Sequence, residues 1–172
     1  MAAPRCDTRL LIREYRATDS TPEITRLLHA AYADLARQGF RYLATHQDDE
    51  VTARRLGRGF PLVAERDGSI VGTVTLYAPR ADHPIEWYRR PDVCYFAQFG
   101  VAPDLQRQGI GSRLLRAVED GARARGAAEL ACDTAEGAQH LREWYAREGF
   151  RTVGSMDWPE TNYISVVLSK TL

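Results

Sequence analysis

The sequence predicts one α/β domain: a mixed sheet with helices on both faces. Three observations carry that expectation. Short apolar runs alternate with helical periodicity in the order strand, two helices, three strands, helix, strand, helix, two strands. An Asp67-Gly68 pair between two apolar runs marks a hairpin and so brings antiparallel pairing into the sheet. The 172 residues hold no repeat, low-complexity tract or linker, and that length suits a single core from residue 1 to 172 without metal or disulfide staples.

Taken in order, residues 10–15 read as a first strand, and Ala17-Thr18-Asp19 as the turn after it. Thr21-Pro22-Glu23 offers an N-cap, a proline at the first helical position and an acid in the first turn. Ile24, Leu27, Leu28, Ala31, Tyr32 and Leu35 then follow at helical spacing, with Gly39 as a stop. Residues 48–56 predict a second, shorter helix, and the aromatic stretch 40–46 connects the two on the side expected to face substrate. Residues 61–65 and 70–77 form the hairpin strands. Residues 78–92 carry three prolines with His83, Trp87 and Tyr88, and read as a long ordered loop. Residues 93–101 are the central strand, 110–125 a long helix ending at Gly126, 128–134 a strand, and 138–148 a last helix stopped at Gly149. Residues 150–156 and 163–169 close the sheet as an antiparallel pair.

Composition narrows the function classes. Lys plus Arg equals Asp plus Glu at 23 each, so no global field points to nucleic acid or an anionic membrane as a partner. Three cysteines, Cys6, Cys94 and Cys132, stand at no metal-ligand spacing, and no metal is expected. The N-terminus lacks the long apolar run of a secretion signal, and no stretch approaches a membrane span. A cytoplasmic enzyme is the expectation.

The richest segment is residues 93–115, VCYFAQFGVAPDLQRQGIGSRLL. An apolar strand runs into Pro103-Asp104, then Gln106-Arg107-Gln108-Gly109-Ile110-Gly111-Ser112, then an amphipathic helix with Ile110, Leu114, Leu115, Val118 and Ala122 on one face. Backbone amides gathered around glycines at a helix start bind anions: the glycines admit close approach, and the helix N-terminus adds partial positive charge. Gln106-x-x-Gly109-x-Gly111 therefore reads as a pyrophosphate seat.

Residues 99–115 resemble the acyl-CoA-binding segment of the GNAT-type N-acetyltransferase superfamily, and Tyr145-Ala146-Arg147-Glu148-Gly149-Phe150 resembles its Tyr-x-x-x-Gly-Phe segment. The resemblance implies a mostly antiparallel sheet of six or seven strands whose central pair splays apart, and acetyl-CoA as co-substrate. It implies main-chain contacts to the pantetheine arm from Phe99 and Val101, with Gly100 between them suited to a bulge, and a pyrophosphate held by the amides of residues 107–112. Arg107 and Arg113 are candidates for added charge toward the phosphates, or are solvated surface residues. Tyr145 matches the family tyrosine that protonates the departing thiolate. Leu141, Trp144 and Tyr145 equally make an apolar stripe at i, i+3, i+4, in which a tyrosine is simply core. Where many relatives carry a cofactor-side asparagine this chain has Ala138, leaving Glu136 or Gln139 as substitutes. Homodimers are common in the superfamily, and a homodimer is an option this chain leaves open.

Acyl transfer needs a fixed thioester, a polarised carbonyl, a deprotonated amine and a protonated leaving thiolate. The central strand offers Gln98 and Tyr95 but no carboxylate, so the general base stays open among His46, His83, Asp133 and a relayed water. No cysteine sits in a nucleophile setting, which favours direct attack in a ternary complex over an acyl-enzyme. A dinucleotide-binding oxidoreductase fits poorly, because Gly109-Ile110-Gly111 lacks the third glycine and the first-strand position of that fingerprint. A silent acyl-CoA sensor remains the alternative. The aromatic residues of 40–46 and 85–95, with Trp158, suggest a ring-walled pocket for a small-molecule or peptide amine.

Overall fold

The computed structural model describes residues 9–172, and Cys6 lies outside them. Seven strands, β1 (Leu11–Glu14), β2 (Phe60–Arg66), β3 (Ser69–Tyr77), β4 (Val93–Val101), β5 (Glu129–Ala135), β6 (Arg151–Asp157) and β7 (Ile164–Thr171), form one sheet in the order β1-β2-β3-β4-β5-β7-β6. Every neighbouring pair is antiparallel except β4 and β5. Helix α4 (Ile110–Ala124) packs on one face through Ile110, Leu114, Leu115 and Val118, joined there by Tyr145 of α5 (Gln139–Arg147). Helices α1 (Thr21–Ala31) and α3 (Asp49–Gly57) cover the other face through Ile24, Leu28 and Leu56, and a short α2 (Ala33–Arg37) follows α1. The mixed sheet with helices on both faces is as expected.

Two local expectations change around α1. The cap of α1 is Ser20, whose Oγ accepts from the Glu23 N–H; Thr21 is the first helical residue and Pro22 the second. The Thr21 hydroxyl is engaged instead with the Tyr15 hydroxyl at 3.0 Å. The helix expected to run to Gly39 breaks at Tyr32, where φ −99° and ψ 2° separate α1 from α2.

The sheet parts at its centre. β4 and β5 pair only at Val93↔Glu129, Cys94↔Leu130 and Tyr95↔Ala131, and the rest of the two strands diverges. On its other side β4 bulges, because Thr73 faces Gly100 while Thr75 faces Ala97. The extra residue falls at Gln98, with φ +52°, not at Gly100 as expected. A non-glycine residue in that conformation is strained and persists only where its surroundings hold it. Here Gln98 Oε1 accepts from Gln47 Nε2 at 2.8 Å, and Gln98 Nε2 donates to Thr75 Oγ1 at 3.3 Å. Gly100 has a different reason to be glycine: a Cβ there would come within 3.0 Å of the Ala31 Cβ and 3.4 Å of Leu28 Cδ2. It lets α1 lie directly on the strand.

Candidate active site

The parted strands open into a cavity of about 1120 Å³ that runs from the loop before α4 to the loop after β3. Its first end is main chain. After β4, the Ala102 N–H turns back to the Val71 carbonyl at 2.9 Å, residues Pro103–Leu105 make one tight turn, and the chain passes through Gln106, Arg107 and Gln108 to α4. Arg107 (φ +60°) and Gly109 (φ +81°) are both left-handed, the alternation that turns successive N–H groups toward one anion. Gly111 needs no glycine for the chain's own packing: an added Cβ would meet only Phe99 Cζ at 3.6 Å and Val101 Cγ2 at 3.9 Å, ordinary contacts. The space that Cβ would fill belongs to the cavity.

Of the residues expected to hold the cofactor, Phe99, Gly100, Val101, Gln106, Arg107, Gly109, Gly111 and Ser112 line this cavity. Gln108 and Ile110 do not. The Gln108 amide turns to the Asp104 carbonyl and to Arg66, and the Ile110 side chain is buried in the core under α4. Arg113 points away, donating to the Leu10 carbonyl. The Phe99 and Val101 carbonyls already accept hydrogen bonds, from the Tyr32 hydroxyl at 3.0 Å and Gln106 Nε2 at 3.1 Å respectively. Neither suggested substitute for the asparagine reaches the cavity: Glu136 is exposed, and Gln139 bonds to Glu143 on the surface of α5.

Tyr145 stands in the cavity wall midway, packed among Phe96, Trp144 and Phe150. It is thus both core and site. Burial pushes its phenol well above the usual range, with further upward contributions from Cys132 and Tyr32, so it keeps its proton throughout the neutral range. Its neighbour on β5 is the Cys132 thiol. That thiol is itself pushed well up by burial and by Asp133, which keeps it protonated and a poor nucleophile.

The second end is side chain. Tyr77, Tyr95 and Tyr88 form a stack, with ring centroids 5.1 Å apart for the first pair and 4.3 Å for the second. His83 and Trp158 close against it. Asp133 on β5 accepts from the Tyr88 hydroxyl at 3.1 Å and from Trp158 Nε1 at 3.0 Å. Arg55 and Arg58 reach the cavity from the end of α3, and Arg80 from the loop after β3. The aromatic wall was foreseen from the sequence; the arginines and the anchoring of Asp133 were not.

The candidate bases separate by geometry. His46 is exposed and does not line the cavity. His83 Nδ1 accepts from the Ile85 N–H at 3.0 Å, so the neutral ring carries its hydrogen on Nε2 and offers the cavity a donor. Burial, and next Arg80, lower its pKa and keep it neutral. Gln98 spends its amide on Gln47 and Thr75. Of the candidates named from the sequence, Asp133 is left as the carboxylate that lines the cavity, which Asp34 and Glu160 also line. No group of three His, Cys, Asp or Glu among the described residues is arranged to hold a metal, and no described helix is long and apolar enough to cross a membrane.

Comparison with known proteins agrees with this architecture. The chain is 29% identical over 87% of its length to S-(2-succino)cysteine N-acetyltransferase of Bacillus subtilis, covering 89% of that protein. It is 27% identical over 59% of its length to S-alkylcysteine N-acetyltransferase of the same organism, covering 55% of it. A GNAT family acetyltransferase from Elizabethkingia anophelis, solved with acetyl-CoA bound, superposes with a TM-score of 0.67 at 19% identity, over 95% of this chain and 98% of that one. The family described as Acetyltransferase (GNAT) family matches residues 23–150, well over half of the sequence. With its parted sheet, its glycine-bearing loop ahead of α4 and this match, the chain belongs to the GNAT family of acetyltransferases.

Proposed function

We propose that the protein transfers the acetyl group of acetyl-CoA to the primary amine of a small amino acid of the S-substituted cysteine type. Direct attack occurs in a ternary complex, with Tyr145 as general acid. The observation that carries this reading is one continuous cavity joining a left-handed amide loop, a buried tyrosine and a fixed carboxylate. The pyrophosphate of coenzyme A lies against the amides of residues 107–112, and the pantetheine arm follows the open side of β4 past Phe99 and Val101. The amine enters from the Asp133 end. Its nitrogen forms a bond to the thioester carbon as the carbon–sulfur bond breaks, the thiolate takes the Tyr145 proton, and the amine proton leaves through Asp133 or water. Solvent restores the Tyr145 proton.

Support for the acceptor class comes from the two curated relatives, whose names specify cysteine thioethers. The test is purified protein with acetyl-CoA and a panel of amines, among them S-methylcysteine, polyamines and peptide N-termini, with free thiol release followed. Turnover of the cysteine thioethers supports the reading. Turnover confined to other amines rejects the acceptor class, and silence with every amine favours an acyl-CoA sensor.

A further inference from the structure

We infer that Arg58, with Arg55 and Arg80, reads a carboxylate on the acceptor's side chain, so that the preferred acceptors are amino acids carrying at least two carboxylates. The inference rests on the amino-acid acetyltransferase reading and refines it. Arginines at a helix C-terminus ordinarily complement the helix dipole, and Arg54, exposed on the last turn of α3 and away from the cavity, fits that role. Arg55 and Arg58 differ because both line the cavity.

Neither Arg55 nor Arg58 makes an ion pair with a carboxylate among the described residues, whereas Arg80 is paired with the exposed Asp82 at 2.8 Å. Arg55 is held in place, since one of its Nη groups donates to Gln47 Oε1 at 2.5 Å and its carbonyl accepts from the Tyr77 hydroxyl at 3.0 Å. The three cations gather along the tyrosine stack. Arg55 draws down the pKa of Tyr77 against the effect of burial; Arg80 and Arg58 do the same for Tyr95.

An acceptor end with one fixed carboxylate, Asp133, and two guanidinium groups lacking acidic partners has a definite complement. It fits an ammonium group at Asp133 and a side-chain carboxylate at the guanidinium groups, with an apolar stem lying on the ring faces between them. A thioether amino dicarboxylate has that form, and guanidinium forks match carboxylates two bonds at a time. An S-alkyl chain ending in methyl leaves the guanidinium groups without a side-chain anion.

The decisive experiment uses matched acceptors, S-methylcysteine against S-carboxymethylcysteine and norvaline against glutamate, with wild type, Arg58→Gln and Arg58→Lys. Wild type should favour the carboxylated member of each pair at least tenfold in kcat/KM, chiefly through KM. Arg58→Gln should cut that preference about tenfold while leaving the neutral members within twofold, and Arg58→Lys should keep part of it. Because the Arg58 side chain is exposed and makes no hydrogen bond to another described residue, its loss should not unfold the protein. Equal kcat/KM within each pair, or an Arg58→Gln loss shared by both members, overturns the inference and leaves the parent reading standing. Turnover only of amines without an α-carboxylate, or no turnover at all, overturns both.

Discussion

Tyr32 and Tyr42 stand 5.2 Å apart, ring to ring, and each satisfies one side of the parted sheet. Tyr32 donates to the Phe99 carbonyl of β4, and the Tyr42 hydroxyl accepts from the Ala135 N–H of β5. Two side chains from the α1–α3 region thus replace ladder bonds that β4 and β5 do not make with each other. The Tyr42 oxygen also lies 2.9 Å from Thr134 Oγ1. Removing either hydroxyl should be felt in stability, and unequally. Tyr42→Phe leaves a buried N–H unpaired and should cost about 1–3 kcal/mol, whereas Tyr32→Phe loses one bond to a carbonyl and should cost about 0.5–1.5 kcal/mol. Urea unfolding of the two variants checks the order; a larger loss for Tyr32→Phe contradicts the wedge.

Gly109 and Gly111 should respond oppositely to alanine. Gly109 adopts φ +81°, so Gly109→Ala should destabilise the fold by about 1–2 kcal/mol. Gly111 lies inside α4 with room for a methyl, so Gly111→Ala should leave the fold as stable or raise it by up to about 1 kcal/mol. The same methyl should raise the acetyl-CoA KM at least tenfold. Thermal melting and initial rates together decide the matter, and an unchanged KM in Gly111→Ala removes the pyrophosphate from this loop.

Tyr145→Phe should lower kcat by about a hundredfold or more while the dissociation constant for acetyl-CoA stays within twofold. Since burial holds the phenol well above its usual range, wild-type kcat should show no alkaline fall up to about pH 9.5. A variant that loses affinity and rate together would identify Tyr145 as packing alone.

His83 makes stability depend on pH. Its folded pKa lies below the unfolded value of about 6.5, so the unfolded chain binds more protons wherever pH falls below that value. The stabilisation is fully present above pH 6.5 and is lost as pH falls toward the depressed folded pKa. Unfolding free energies between pH 7.5 and 5.5 should decline in wild type. In His83→Gln, whose amide oxygen still accepts from Ile85, the slope should be shallower by up to about 1.4 kcal/mol per pH unit. Identical slopes rule His83 out as the source.

The donor half was legible in the sequence because it is local. Gln106 through Ser112 carry their backbone chemistry in consecutive residues, and β4 and α4 begin at the residues that the apolar runs mark. What depends on side chains meeting across the fold was less visible. The bulge moved from Gly100 to Gln98 because the Gln47 and Thr75 side chains hold a glutamine there, while the glycine answers to the approach of α1. The helix break at Tyr32 was hidden by a residue that keeps helical spacing on both sides. Asp133, Tyr88 and Trp158 come together from β5 and two loops, and no periodicity announces it. A surplus of arginine between residues 54 and 58 was in plain view, but only the direction of each side chain separates a reader of substrate from a solvated neighbour.

The cavity's two ends are made of different material, and that asymmetry bears on how such an enzyme diverges. A socket built from main-chain amides survives point mutations at positions other than its glycines, since nearly any side chain there supplies the same N–H. The opposite wall consists of exchangeable groups at positions 55, 58, 80 and 158, each open to replacement by a single codon change. Descendants of this scaffold should therefore change their customers far more readily than their currency, and a small library at those four positions is the place to look for new acceptors.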